Sequence, residues 1–188
     1  MSKCSVFIAT SLDGFIARKD GGIDWLPTPD PDSDSDSKDG EDYGYNDFID
    51  TIDALVMGRN SYELVLTFDE WYYGEMPVFV LTNRGVEIPE RLRKTVSQMS
   101  GEPQEIVEQL AKKGYHNLYI DGGKTIQGFL NAGLIDEMTI STIPVLIGSG
   151  IPLFGPTEED IHLEHIKNDS FPNGLIQHKY KVIRPGSD

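Results

Sequence analysis

Residues 53–65 read DALVMGRNSYELV, and residues 118–137 read LYIDGGKTIQGFLNAGLIDE. Each stretch opens on a short apolar run, Ala54–Met57 in the first and Leu118–Ile120 in the second. Runs of that kind suit strands buried on both faces, as in a parallel or mixed sheet. Each run then breaks at glycine, at Gly58 and at Gly122-Gly123, and a helical pattern follows. Strand, glycine, helix, twice over, reads as α/β architecture with two sharp corners.

The rest of the chain extends that pattern. Val6–Ala9 reads as a first buried strand, broken by the turn chemistry of Asp13-Gly14. Residues 18–29 are loop, punctuated by Gly21, Gly22, Pro27 and Pro29. A short helix is expected over Asn46–Thr51 and a third strand over 76–83. A helix follows over 101–114, with Ile106, Val107 and Leu110 on one face and Gly114 as its stop. Residues 137–148 read as a further strand. Two segments flank Ser170–Gly174; the second alternates with period two, which marks them as a closing antiparallel pair.

With 188 residues, the chain is expected to form one domain, 1–188, with a full core. Its net charge of −15 argues against broad binding to nucleic acid or to an anionic membrane. One cysteine, Cys4, excludes an intramolecular disulfide and a cysteine metal site, and suits a small core residue. The four histidines are scattered, so no metal is expected. With no signal-peptide pattern and no apolar run near the ~20 residues that span a bilayer, a cytoplasmic setting is expected. Residues 29–43 are acidic, serine-rich and expected to be a mobile insertion. Its alternating Asp residues invite a calcium reading. A loop started at Asp32 puts Ser37 and Tyr43 where the EF-hand needs Gly and Glu, so that reading fails.

The corners carry the functional signal. Glycine lets backbone approach a ligand closely, and the free N–H groups of the following helix point toward an anion there. Arg59 and Lys124 add charge beside them, and Asn60, Ser61 and Thr125 add short hydrogen-bonding groups. Thr82, Asn83 and Arg84 offer a third polar strand end. Neither corner is a phosphate-binding P-loop, and DGGKTIQG lacks the spacing of a dinucleotide fingerprint. The residues alone therefore indicate an anionic small-molecule site, with a nucleotide as one candidate.

Six segments in order, FIATSLDGFIA, GGIDWL, ALVMGRNSYE, VFVLTNR, LYIDGGKTIQGFLNAGLIDE and IPVLIGSGIPLF, resemble the dihydrofolate reductase superfamily. The last favours the reductase domain of the bifunctional riboflavin-biosynthesis deaminase-reductase and its stand-alone relatives. The resemblance implies a dihydrofolate reductase-like three-layer α/β sandwich, mostly parallel with an antiparallel C-terminal pair. It implies NADPH held by Gly58, Arg59, Asn60 and Ser61 at the phosphates, and by Thr82, Asn83 and Arg84 along the adenosine ribose and its 2′-phosphate. Gly122, Gly123, Lys124, Thr125 and Ile126 would cover the pyrophosphate, and Ala9 and Ile16 would border the nicotinamide. It further implies a cis Gly122–Gly123 bond and a homodimer.

Trp25, Tyr45, Phe48 and Ser141 fall on the substrate side of that resemblance. Folate reductases keep a carboxylate one helical turn before an aromatic residue. If Phe48 is that aromatic, the position is Gly44, which weakens a folate reading; Asp24 is the candidate carboxylate from the neighbouring loop. The chain also lacks the zinc deaminase signature. The expected activity is NADPH-dependent reduction of a small heterocycle, resembling 5-amino-6-(5-phosphoribosylamino)uracil reduction. Dihydrofolate reduction and dinucleotide binding without turnover are the alternatives.

Overall fold

A computed structural model describes residues 2–27 and 42–184. The acidic segment expected over 29–43 lies outside the described residues except for Asp42 and Tyr43. The strands are β1 (Lys3–Ser11), β2 (Phe15–Ala17), β3 (Ala54–Gly58), β4 (Val78–Leu81), β5 (Val96–Met99), β6 (Asn117–Asp121), β7 (Ile135–Ile143), β8 (Ile151–Pro152), β9 (Leu163–Ser170) and β10 (Ile176–Val182). The helices are α1 (Tyr45–Ile49), α2 (Arg59–Val65), α3 (Pro103–Lys112) and α4 (Gly123–Asn131).

Eight strands form one sheet in the order β5-β4-β3-β6-β1-β7-β10-β9. Neighbours from β5 to β7 run parallel, and β10 is antiparallel to both β7 and β9. Ile106, Val107 and Leu110 of α3 and Ile126, Phe129 and Leu130 of α4 pack on Cys4, Val6, Val56, Ile120 and Met138 of one face. The other face carries Leu55, Met57, Val78, Val80 and Tyr119 against Tyr62 of α2 and Tyr45, Phe48 and Ile49 of α1. This is the expected three-layer α/β sandwich.

Three strands escaped the sequence reading for physical reasons. β5 is an edge strand whose Ser97 and Gln98 are exposed, so it lacks an apolar run. β2 and β8 are too short for periodicity and exist as a two-stranded ribbon apart from the main sheet. Gly150 makes that ribbon possible, because a Cβ there would run into the Ala17 carbonyl oxygen. The expected cis bond at Gly122–Gly123 is a further correction: no peptide among the described residues is cis. Gly122 turns the chain instead with φ 93 and ψ 136, a conformation open to glycine alone.

Cys4 is fully buried in β1, as expected, and its backbone N–H donates to Asp136 Oδ2 at 2.8 Å. Burial, with Asp136 adding to it, pushes the thiol up to about 12. A thiol reagent such as dithionitrobenzoate is therefore expected to leave the folded protein unlabelled and to titrate one thiol per chain only in denaturant. Rapid labelling of the native protein would show that β1 opens readily.

Candidate functional site

Parallel strands end on the same side of a sheet, and that is where loops in open α/β sheets converge. Here Gly58 of β3 lies opposite Leu81 of β4, and Met57 opposite Asp121 of β6. The two glycine corners are therefore side by side, with Thr82-Asn83-Arg84 beyond the first. A Cβ on Gly58 would come within 2.9 Å of Thr125 Oγ1, and one on Gly122 within 2.6 Å of Ser61 Oγ. A Cβ on Gly123 would reach 3.0 Å from Ile16 Cδ1. The corners interlock, and Ile16 of β2 closes over the second one.

Ser61 does more than pack. The Asp121 carboxylate, last residue of β6, accepts hydrogen bonds from the Ser61 hydroxyl and the Gly122 N–H. Burial nevertheless dominates, and the Asp121 carboxyl is raised to about 6. Its surroundings are phenolic: burial, with Asp121 adding to it, also raises the hydroxyls of Tyr45, Tyr73 and Tyr119 well above the usual range. A carboxyl that titrates near neutrality at a strand end is suited to exchanging a proton with a ligand.

The other residues singled out in the sequence lie on several elements. Arg59 heads α2 and is held by Glu63, Nε to Oε1 2.6 Å, leaving it 41% exposed. Asn60, Asn83, Arg84 and Lys124 are exposed, and Ile126 is buried under α4. Thr82 Oγ1 accepts from the Arg84 N–H at 3.2 Å and donates to the Gly85 carbonyl at 3.3 Å, shaping the end of β4. Ala9 of β1 pairs with Ser141 of β7. Asp13 clasps the β1–β2 turn to the loop after β7, accepting from Ser11 Oγ at 2.6 Å and from the Gly148 N–H at 2.7 Å.

On the α1 side of the sheet, Phe7, Tyr45, Phe48 and Tyr119 form an aromatic group with ring centroids 5.0 to 6.4 Å apart. Phe7 and Phe48 also line a cavity of about 390 Å³ between α1 and strands β1, β7, β9 and β10. Gly44 lines it too, at the head of α1 with φ 79. Ser141 is 4% exposed and hydrogen-bonded to Gln177, a lining residue. Trp25 lies apart from this lining, and its buried Nε1 has no hydrogen-bond partner among the described residues.

Asp24 lies in the loop after β2. Its side chain is 66% exposed and grips Arg18 through both oxygens, at 2.6 and 2.8 Å. The Arg18 hydrogen bonds hold its carboxyl below the usual range, so it stays ionised at neutral pH. The pair closes the loop after β2.

The RibD C-terminal domain model matches residues 3–177. The chain belongs to that family. It is 35% identical over 155 residues to the uncharacterized YwjB of Bacillus subtilis (strain 168), covering 81% of this chain and 82% of that protein. Among solved structures, a Shewanella sp. PV-4 protein provisionally named for riboflavin biosynthesis superposes with TM-score 0.85 and 42% identity, covering 97% and 99% of the two chains. A dihydrofolate reductase from Enterococcus faecalis, solved with NADP(H), superposes with TM-score 0.65 and 14% identity over 97% of each chain. The fold of this RibD C-terminal domain is thus dihydrofolate reductase-like, and the family points to an oxidoreductase.

Two residues of the site went unread in the sequence. Asp121 sits inside the quoted YIDGG motif, where a carboxylate ending an apolar strand was the available signal. Gln177 gave none: alternation in β10 assigns it no special side, yet it is 8% exposed while Ile176 beside it is 43% exposed.

Proposed function

We propose that this chain, acting as one domain, is an NADPH-dependent reductase of a small heterocyclic substrate. The observation that carries this reading is the interlocked pair of glycine corners with Asp121 between them. The residues fit the cofactor: Gly58, Gly122 and Gly123 each sit where a Cβ would crowd Thr125, Ser61 or Ile16, so only glycine lets the two corners close this tightly beside the cationic Arg59 and Lys124. Arg59, Asn60 and Ser61 would hold phosphate at the first corner, and Lys124, Thr125 and Ile126 would follow the pyrophosphate at the second. Thr82, Asn83 and Arg84 would meet the ribose 2′-phosphate, with Ala9 and Ile16 beside the nicotinamide. When bound, NADPH supplies the hydride.

The protein's own part is orientation and the proton. Asp121, raised toward neutrality by burial, donates a proton to the reduced substrate and is reset from solvent. Ser61 holds its carboxylate in place. Tyr45, Phe48 and Ser141 form the substrate side, and the free Trp25 Nε1–H is a donor for whatever closes over that loop. Reduction of the phosphoribosylamino-uracil type is the specific form suggested by the family; dihydrofolate fits less well because Gly44 offers no carboxylate. No helix among the described residues is long and apolar enough to cross a membrane. A cytoplasmic homodimer is part of the proposal, with exposed Leu163, Ile166 and Ile176 on β9 and β10 as its candidate contact.

Calorimetric titration tests the cofactor reading. NADPH is expected to bind more tightly than NADH. Arg59→Ala and Arg84→Ala should each weaken NADPH by roughly tenfold, the scale of a lost charge-assisted phosphate contact. Binding of neither dinucleotide would overturn the reductase reading. NADPH binding without oxidation by any pterin, pyrimidine or quinone acceptor would instead support a non-catalytic role.

A further inference from the structure

Side chains alternate along β6, so Tyr119 and Asp121 stand on the same face of the sheet. Four tyrosines pack on that face: Tyr119 itself, Tyr62 of α2, Tyr45 of α1 and Tyr73 of the loop between α2 and β4. Trp71 anchors that loop, its ring edge-on to Tyr62 at 6.0 Å and to Tyr73 at 5.2 Å. The Met76 N–H then donates to the Tyr73 carbonyl at 2.9 Å and closes the turn that follows. Tyr73 is thus held in place although it lies outside every helix and strand.

Phenylalanine would serve the packing of these rings, so each hydroxyl needs its own reason. Two have one. Tyr119 Oη donates to the Phe7 carbonyl at 2.8 Å, and Tyr62 Oη to the Glu87 carbonyl at 3.3 Å. The hydroxyls of Tyr45 and Tyr73 have no partner among the described residues. Both are close enough to Asp121 for its charge to act on them, and Tyr73 feels Tyr45 as well. Asp121 accepts from Ser61 and Gly122, and from neither phenol. Burial, with Asp121 adding to it, keeps both phenols protonated, so each remains a donor. One strand end therefore gathers two unspent O–H donors and a carboxyl.

We infer that Tyr73 is a further catalytic residue, donating together with Tyr45 a hydrogen bond to the substrate atom that takes the proton of Asp121. As the carbon end of a C=O or C=N bond takes hydride, the bonding pair moves onto the heteroatom. The two phenols stabilise that charge by hydrogen bonding and keep their own protons. The Asp121 proton completes the new O–H or N–H bond, and solvent restores it to the carboxylate. Donors fixed before the charge appears need no reorganisation when it does, and phenols beside a carboxyl that can hold its proton suit this task. This rests on the reductase reading, because it names what holds the reducible bond in the same site.

Pyridine N-oxide tests the donors without turnover, because its oxygen accepts strongly and it has no acidic proton. Toluene carries a methyl group in place of that oxygen on a ring of the same size. Ligand-observed NMR on the full chain gives both affinities. The wild type should prefer the N-oxide. Tyr73→Phe and Tyr45→Phe keep the rings and should each cut that preference by roughly tenfold, the scale of one lost hydrogen bond. Tyr62→Phe, whose hydroxyl is spent on Glu87, should leave it unchanged. NADPH titration of every variant reports whether it is folded and separates this inference from the reading beneath it. Loss of the preference in Tyr73→Phe with NADPH binding intact supports the donor. A preference unmoved by Tyr73→Phe, an equal fall in Tyr62→Phe, or no N-oxide binding beside normal NADPH binding would each overturn it. Failure of NADPH binding in the wild type would strike the reductase reading itself.

Discussion

Asp121→Asn is expected to remove most turnover and at the same time to stabilise the protein above pH 6. The first effect follows from the proposed role: a positioned proton donor contributes typically about 10²–10⁴-fold in rate. The second follows from linkage. Burial raises the folded carboxyl to about 6 from the ordinary 3.8 of an aspartate. Its favourable contribution is therefore fully present below about pH 4 and is lost as pH rises through about 6. Above that, the folded state carries a poorly solvated charge that the unfolded state does not. The ceiling on this cost is about 3 kcal/mol, from the shift and ~1.4 kcal/mol per pH unit. Asparagine keeps an acceptor for Ser61 and Gly122 but no charge.

Denaturant midpoints of wild type and Asp121→Asn, compared from about pH 4 to pH 8, should diverge across that window and nearly coincide at its acid end. Acceptor-dependent NADPH oxidation then supplies the rate. A variant that is less stable than wild type at pH 8, or one that keeps full kcat, would dismiss Asp121 as the proton source. The combination of lost rate and gained stability is what a strained functional carboxylate produces, and a merely structural aspartate does not.

Gly122→Ala is expected to be severely damaging to both stability and the site. Two costs add. The φ of 93 is one that L side chains rarely adopt, at about 1–3 kcal/mol. The new Cβ also meets Ser61 Oγ at 2.6 Å, with Gly58 N at 3.5 Å behind it. The clash can be relieved only by moving Ser61 away from Asp121, so NADPH binding and turnover should fall with stability. Adding Ser61→Ala removes the oxygen and leaves Gly58 N at 3.5 Å and Ser61 Cβ at 3.6 Å, both ordinary contacts. The double variant should recover the clash part of the loss and keep the φ part. No recovery in that double-mutant cycle would mean that the corners are not coupled through Ser61.

Much of this was written in local sequence. Ala54–Met57 and Leu118–Ile120 had to be central strands because their apolar runs need cover on both faces, and the fold puts α-helices there. Gly114 ends α3 with φ 94, as a helix followed by glycine predicts. The polar edge strand β5 and the short ribbon β2–β8 carried no such signal. Arg18 captured Asp24, a choice six residues apart in sequence that the composition of that loop did not announce.

What the sequence by itself determined is therefore the alternation of the central strands and helices, the two glycine corners and their cationic neighbours. Those features depend on hydrophobic period, glycine and charge over a few adjacent residues. Only the tertiary structure decided which corners touch, that Ser61 reaches Asp121 from another strand's helix, and that Gln177 is buried beside Ser141, 36 residues away. The physical reason is that strand order sets those distances. The sheet places β6 between β3 and β1, and β7 between β1 and β10, and desolvation at those junctions sets the protonation of Asp121. No window of sequence contains a junction between strands that are far apart along the chain.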